Sequence, residues 1–91
     1  MGINVKLPRL LQEEAQGVRL IEVRGRTVFE CLKDLIHRHP RLEGRILDGE
    51  GRLLLQWMLY INDQGIARAD ELATPLKDGD TILLVPVAAG G

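Results

Sequence analysis

The sequence predicts a two-layer α+β architecture, with one helix packed on one face of a four-stranded sheet. Three observations lead to this prediction. The opening residues INVKLP alternate apolar and polar side chains, which is the period of a half-buried strand. One amphipathic helix follows over about residues 27–38, and an apolar strand follows the tight-turn sequence KDGD near the end of the chain. A helix stripe that faces one sheet produces two layers.

The first two strands are predicted on either side of a polar connection. The first strand ends at Pro8, because proline has no N–H to donate to a sheet. The second strand is GVRLIEVRG, in which the apolar residues change phase after Leu20. A bulge near Leu20 would bring the apolar residues onto one face.

The predicted helix has recognisable ends. Thr27 is a typical N-cap, Glu30 three residues later completes a capping box, and Pro40 limits the other end. Phe29 lies at the edge of an apolar stripe at helical spacing, which contains Val28, Cys31, Leu32, Leu35, Ile36 and His39.

The second half of the chain predicts a loop and two strands. RLEGRILDGEGRLL contains three glycines in mixed polarity, so we expect a loop with room for one short turn of helix. LQWMLYIN is typical of a strand by its aromatic and aliphatic content, and NDQG predicts a turn after it. Residues 66–76 then form a short irregular crossover, and TILLVPV is the last strand.

Length and composition restrict the class of protein. A chain of 91 residues builds one hydrophobic core, so we expect a single domain over residues 1–91. With 45% hydrophobic residues, 27% charged residues and a net charge of −1, the chain has no general attraction for nucleic acid or acidic membranes. No apolar stretch is long enough to span a bilayer. We therefore expect a soluble protein that is monomeric when free.

The single cysteine and the two histidines give no sign of a reactive centre. Cys31 excludes an internal disulfide, and we expect a reducing, cytoplasmic setting. Its position in the apolar stripe favours a core residue over a sulfur acceptor. His37 and His39 would point about 200° apart on a helix, so they would not bind one metal ion together. We expect no bound metal or cofactor.

Catalytic signatures are absent from the sequence. It contains no phosphate-binding glycine loop, no nucleophile elbow and no HExxH motif. An enzyme that acts alone is therefore not expected.

The last nine residues, LLVPVAAGG, lose their side chains toward two glycines. Pro86 lacks an N–H, so we expect strand pairing to stop near it and residues 86–91 to form a flexible tail. Six extended residues reach roughly 20 Å. Such a tail could enter a channel in another protein and present the carboxylate of Gly91, which no Cβ shields. The alternative is a small terminal segment without a role.

The last strand and its upstream neighbour are apolar in both phases. If the phase that contains Trp57 faces the helix, the outward phase holds Met58, Tyr60, Leu83 and Val85. A strand buried on both faces is the alternative. With one helix available, however, one sheet face must meet solvent or a partner. We predict a partner-binding surface from these residues that continues into the tail through Pro86, Val87, Ala88 and Ala89.

Taken together, DGDTILLVPVAAGG, the upstream YIN and the β-β-α-β-β order resemble the ubiquitin-like sulfur carriers of the ThiS/MoaD type. The resemblance implies a ubiquitin-like β-grasp fold, with a four-to-five-stranded mixed sheet and one main helix on one face. It places the first and last strands side by side in mid-sheet. Val87 follows Pro86 where molybdopterin-type members usually have a second proline. The LPRLLQ start and the length are closer to the carriers that feed cysteine synthesis.

The resemblance also implies a mechanism centred on Gly90 and Gly91. In that family an E1-like adenylating enzyme uses ATP to convert the terminal glycine carboxylate into an acyl-adenylate. Sulfur from a persulfide donor protein then displaces AMP and leaves a thiocarboxylate on Gly91. The acceptor would be a synthase, such as the molybdopterin synthase large subunit, a cysteine-synthase homologue or thiazole synthase. The catalytic groups and the ATP site would lie on these partners, and the chain could act as the small subunit of a synthase.

Two other functions stay open at this point. The chain could be a protein modifier that forms isopeptide bonds through Gly91, or a non-catalytic binding module with an inert tail. The sulfur could serve molybdopterin, thiamine, cysteine or tRNA, because the carrier chemistry is the same in each case.

Overall fold

The computed structural model describes residues 2–66 and 72–87. Within them the chain forms a five-stranded mixed sheet and two α-helices. The strands are β1 (Ile3–Lys6), β2 (Leu20–Val23), β3 (Trp57–Ile61), β4 (Gln64–Gly65) and β5 (Thr81–Pro86), and the helices are α1 (Arg9–Gln12) and α2 (Val28–Arg38). Two 3₁₀ helices cover Glu13–Ala15 and Pro40–Leu42.

The sheet has the order β2-β1-β5-β3-β4. β1 and β5 pair in parallel at its centre, and the other neighbours are antiparallel. The central position of the first and last strands confirms the β-grasp prediction. Because β5 lies between β1 and β3, residues 81–86 lie in the middle of the sheet.

Helix α2 covers one face of the sheet. The Thr27 side chain accepts a hydrogen bond from the Glu30 N–H at 3.2 Å, so the predicted N-cap is confirmed. The Glu30 carboxylate accepts a hydrogen bond from the Arg26 N–H at 2.8 Å, one residue before the Thr27 N–H that a capping box would use. The apolar stripe is buried as predicted at Val28, Cys31, Leu32, Leu35 and Ile36.

The polar connection between β1 and β2 contains structure that the pattern did not predict. Pro8 stands at the N-cap position of α1, and the 3₁₀ turn that follows ends at Gln16 in a left-handed conformation. This short helical segment buries Leu11 and Ala15 against the core. It is therefore a packed part of the fold.

The bulge predicted near Leu20 is wrong. β1 and β2 pair in regular register from Ile3 opposite Val23 to Lys6 opposite Leu20. The side chain of Leu20 is 52% exposed and lies on the sheet face that α2 does not cover, as the alternation of a regular strand requires.

The NDQG sequence forms the tip of a hairpin. Asn62 and Asp63 both have positive φ, at 49° and 71°, and β4 returns beside β3. Two successive residues in this region are typical of the primed turns that match strand twist. The two-residue strand β4 follows directly from this turn and is the strand that the four-stranded prediction lacked.

The glycine-rich loop after α2 is partly buried. It contains the predicted short helical turn, at Pro40–Leu42, and an isolated bridge between Leu47 and Leu53.

Within the ranges that the structure describes, none of the helices has the length and apolar character that a membrane crossing requires.

Candidate functional site

The four predicted contact residues lie together on the uncovered face of the sheet. β3 and β5 pair so that Met58 lies opposite Val85 and Tyr60 opposite Leu83. Met58 is 40% exposed and the other three are half-buried. The opposite phase is buried at Trp57, Leu59, Ile61, Ile82 and Leu84. The predicted division of the two faces is therefore confirmed, and we call Met58, Tyr60, Leu83 and Val85 the outer-face cluster.

The cluster extends toward β2 through residues that the sequence pattern had not placed in it. Lys6 pairs with Leu83 on one side and with Leu20 on the other. These three residues, with Arg19 and Gln12, line a shallow groove at the end of β1. The sequence contained one signal for this extension. The apolar residues of the second strand change phase at Leu20, and this change places a large apolar side chain on the outer face.

The start of the predicted tail belongs to the sheet. Pro86 lies opposite Trp57, and the Val87 N–H donates to the Gln56 carbonyl oxygen at 2.8 Å. Strand β5 ends at Pro86, so the prediction that pairing stops near this residue is confirmed, with one further hydrogen bond at Val87.

Pro86 can pair with β3 although it has no N–H, because residues in an antiparallel pair alternate between hydrogen-bonded and non-hydrogen-bonded positions. Since Val87 directs its N–H at β3, the ring nitrogen of Pro86 points away from β3. The last β1 partner in the parallel pair is Lys6, opposite Leu83, so no β1 partner stands beside Pro86. The missing N–H therefore costs no sheet hydrogen bond.

The reactive end of the predicted tail lies outside the described residues. This applies to Ala88, Ala89, Gly90 and Gly91, and their roles stay predictions.

The YIN and DGD sequences meet at the opposite end of β5. The Asp80 carboxylate accepts from the Lys77 N–H at 2.9 Å and from the Asn62 side-chain amide at 2.8 Å. The Asn62 side-chain oxygen accepts from the Thr81 N–H at 2.9 Å. The hydrogen bond from the Lys77 N–H, followed by that from Asn62, lowers the pKa of Asp80. This network joins the β3–β4 hairpin to the start of β5.

The thiol of Cys31 lies in the core. Its side chain is fully buried, and burial, followed by the charges of Asp34 and Glu30, raises its pKa to about 11. A thiol of this kind is protonated at neutral pH and reacts poorly. The prediction of a core cysteine is confirmed.

The histidines do not form a metal centre with other side chains in the described ranges. His37 lies on the exposed side of α2, and His39 caps its C-terminus. Among residues 2–66 and 72–87, no group of three or more histidine, cysteine, aspartate or glutamate residues could hold a metal ion.

The sheet order and the helix on one face define a ubiquitin-like β-grasp protein. The chain belongs to the ThiS family, whose model matches residues 5–91.

Known proteins resemble the chain over its whole length. The sulfur carrier protein CysO of Mycobacterium tuberculosis is 28% identical over 93 residues, which cover 100% of both chains. In the crystal structure of the Amycolatopsis orientalis BexX/CysO complex, the matching chain has a TM-score of 0.87 and 31% identity, with 99% of this chain and 100% of that chain covered. The solution structure of small archaeal modifier protein 1 from Methanosarcina acetivorans has a TM-score of 0.81 and 30% identity, with 98% and 95% covered.

Proposed function

We propose that the chain is a sulfur carrier whose chemistry takes place at the carboxylate of Gly91. The observation that carries the proposal is the full-length similarity to CysO, a sulfur carrier protein, in a chain whose sequence ends in Gly-Gly. The position of β5 supports it, because this central strand is paired up to Pro86 and the Val87 N–H bonds to the Gln56 carbonyl oxygen, so the sheet holds the chain up to four residues before Gly91.

The first chemical step is activation of the carboxylate. A terminal carboxyl group has a pKa near 3.5 and is ionised at neutral pH, so it is a poor electrophile. An adenylating partner supplies ATP. A carboxylate oxygen attacks the α-phosphorus, pyrophosphate leaves, and the product is an acyl-adenylate on Gly91.

The second step installs sulfur. The terminal sulfur of a persulfide on a donor protein attacks the acyl carbon, and AMP leaves with the former carboxylate oxygen. A second thiol then attacks the donor sulfur of the resulting acyl disulfide, so that the sulfur–sulfur bond to the carrier breaks and a disulfide forms between this thiol and the donor. The thiocarboxylate remains on Gly91, ready to attack an acceptor.

The acceptor is proposed to be a synthase that docks on the outer-face cluster. The solved complex of a CysO with BexX supports docking of a carrier with this fold on a second protein. We place the sulfur in cysteine synthesis, because the chain has the length of CysO and Val87 instead of a second proline after Pro86. Molybdopterin and thiamine synthesis are the other destinations to test.

The proposal is tested by mass spectrometry of the intact chain. Incubation with an adenylating enzyme, ATP and a persulfide donor is expected to raise the mass by one oxygen-to-sulfur exchange, located in the C-terminal peptide. Omission of ATP and deletion of Gly91 are the controls and should abolish the change. Unchanged mass with several adenylating enzymes of ThiS-family carriers would refute the proposal.

A second candidate function is protein modification through Gly91. The observation in its favour is the 30% identity to small archaeal modifier protein 1 over nearly the whole chain. Expression of a tagged chain and peptide sequencing of its adducts would show Gly91 joined to lysine side chains. Thiocarboxylate formation without such adducts would favour the carrier function alone.

A further inference from the structure

We propose that the adenylating partner meets the outer face of the sheet with a carboxylate set between apolar side chains, and that Lys6 pairs with this carboxylate. The inference rests on the proposed function, since it names the chemistry of a partner surface. The adenylating enzyme is the relevant partner because it binds the chain before any sulfur is installed. The basis is a row of side chains that crosses the sheet and places one charge within an apolar surface.

The row follows from the strand register. Lys6 lies opposite Leu20 of β2 on one side and opposite Leu83 of β5 on the other. Leu83 lies opposite Tyr60 of β3, which lies opposite Gly65 of β4. Because neighbouring strands are about 4.8 Å apart, the row is continuous across all five strands. Lys6 is its only charged member.

The apolar surface beside Lys6 comes from the two leucines of the row. A Cβ at Gly65 would lie 3.4 Å from the ring of Tyr60, so this ring leans toward the β4 edge of the sheet. Leu20 is exposed and Leu83 is half-buried, and both line the groove at the end of β1 together with Lys6. The lysine stem therefore stands between two open apolar side chains.

The positive charge of Lys6 has no counter-charge in the structure. Within residues 2–66 and 72–87, neither the Lys6 ammonium nor the neighbouring Arg19 guanidinium forms an ion pair or a side-chain hydrogen bond. The described residues that line the groove include both cations and no carboxylate. Since acidic and basic residues are nearly balanced over the whole chain, at 13 and 12, this groove is a local excess of positive charge.

Two carboxylates of the chain lie near the row. Glu22 is two residues along β2 from Leu20, opposite Asn4, and Asp63 lines a second groove that Lys6 also borders. Neither carboxylate is within 4.0 Å of the Lys6 ammonium, because no such ion pair forms among the described side chains. The ammonium is therefore available to a carboxylate from another protein.

The position of Lys6 limits which surfaces can cover the row. A partner that contacts both Leu20 and Leu83 also covers Lys6 between them. An exposed lysine keeps its ammonium in water, but a covered ammonium without a carboxylate loses that water with no compensation. A purely apolar surface is therefore disfavoured, whereas a surface with a carboxylate at this point is accepted. Such a pair contributes mainly to specificity and to the rate of association.

The first test is the Kd of the complex with a ThiS-family adenylating enzyme, measured by calorimetry without ATP at about 50 mM salt. Lys6→Glu should weaken binding at least about thirtyfold, whereas Lys6→Arg should stay within about threefold of wild type. The matched control is Lys33→Glu, which makes the same charge change at an exposed position of α2, on the other side of the sheet. It should stay within about twofold. Equal effects of the two glutamate variants would contradict the role of Lys6.

The sign of a second substitution separates a carboxylate from an apolar partner surface. Lys6→Met keeps an unbranched side chain and removes the charge. If the partner presents a carboxylate, this variant leaves that group unpaired and should weaken binding about tenfold. A purely apolar partner surface would instead bind Lys6→Met more tightly. Unchanged or tighter binding would overturn the proposal.

The third test needs the chain alone. In an NMR titration, hexanoate should shift the amide signals of Lys6, Leu20 and Leu83, whereas hexylammonium at the same concentration should not. Lys6→Met should abolish this difference. Equal shifts with the two compounds, or none with hexanoate, would refute carboxylate recognition at Lys6.

The outcomes for the two proposals can be told apart. An enzyme that converts the wild-type chain but binds Lys6→Glu equally well would leave the carrier function intact and overturn the role of Lys6. If no adenylating enzyme binds or converts the wild-type chain, the proposed function falls, and with it the assignment of the partner. The hexanoate titration then still decides whether the row around Lys6 recognises a carboxylate.

Discussion

Replacement of Asp80 by asparagine should destabilise the protein through one specific conflict. The buried carboxylate accepts two hydrogen bonds, from the Lys77 N–H at 2.9 Å and the Asn62 amide at 2.8 Å. Asparagine offers one oxygen and one NH₂ group in the same space. In either orientation of the asparagine side chain, its NH₂ group then faces one of the two donors, either the Lys77 N–H or the Asn62 amide.

The size of the effect follows from these contacts. A hydrogen bond to a charged group contributes about 1.5–3 kcal/mol, and the asparagine variant loses one such bond and weakens the other. We expect the free energy of unfolding to decrease by about 2 kcal/mol. For a chain of this size, that corresponds to a decrease in Tm of about 8–16 °C.

The effect should depend on pH. The pKa of Asp80 lies below its ordinary value of 3.8, first because the Lys77 N–H binds the ionised form and then because Asn62 does. A carboxyl group with a lowered folded-state pKa stabilises the protein above the unfolded-state pKa. This contribution disappears as pH falls through the folded-state pKa. The difference between wild type and Asp80→Asn should therefore be constant near neutral pH and decrease below about pH 4.

Urea denaturation at about pH 7 and about pH 3 measures both quantities. The control is Asp78→Asn, which removes one carboxylate from the same turn at an exposed position. We expect this control to change stability by less than about 0.5 kcal/mol. An Asp80→Asn midpoint equal to wild type at neutral pH, or a difference that persists undiminished in acid, would refute the account of the network.

Three further predictions concern the core and the outer face. Gly25→Ala should lower the free energy of unfolding, measured by urea denaturation, by about 1–3 kcal/mol. The reason is that the Cβ of the introduced alanine would lie 2.8 Å from the Cys31 backbone nitrogen, and unchanged stability would contradict this. Cys31 should react with iodoacetamide at neutral pH only as fast as the chain opens, whereas rapid labelling under native conditions would show an accessible thiolate. Met58→Arg should leave stability within about 0.5 kcal/mol but raise the KM for the adenylating enzyme about tenfold, whereas Phe29→Arg, at a similarly exposed position on α2, should not raise it.

The faces of β3 and β5 could be predicted from the sequence. Side chains in a strand alternate with a period of two, and Trp57 is large enough to identify the buried phase. Once Trp57 faces the helix, Met58 and Val85 must lie on the other side in the absence of a bulge. The structure shows this arrangement.

The short elements could not be predicted in the same way. α1 has four residues and β4 has two, so neither contains a full hydrophobic period. Asn62 and Asp63 adopt positive φ without a glycine in either position. Their conformation depends on the hydrogen bonds of the hairpin. It also depends on the hydrogen bonds that the Asn62 side chain makes with Asp80 and with the N–H of Thr81, which lie about twenty positions away in the sequence.

Local patterns in the sequence by themselves determined the helix, the long strands and the choice of buried face, because side-chain period and capping act over a few residues. Only the tertiary structure decided the end of the sheet. Whether Pro86 breaks the pairing depends on which neighbour its nitrogen faces, and whether Val87 is anchored depends on the distant Gln56 carbonyl. Strand register sets both relations, and register is a property of the assembled sheet.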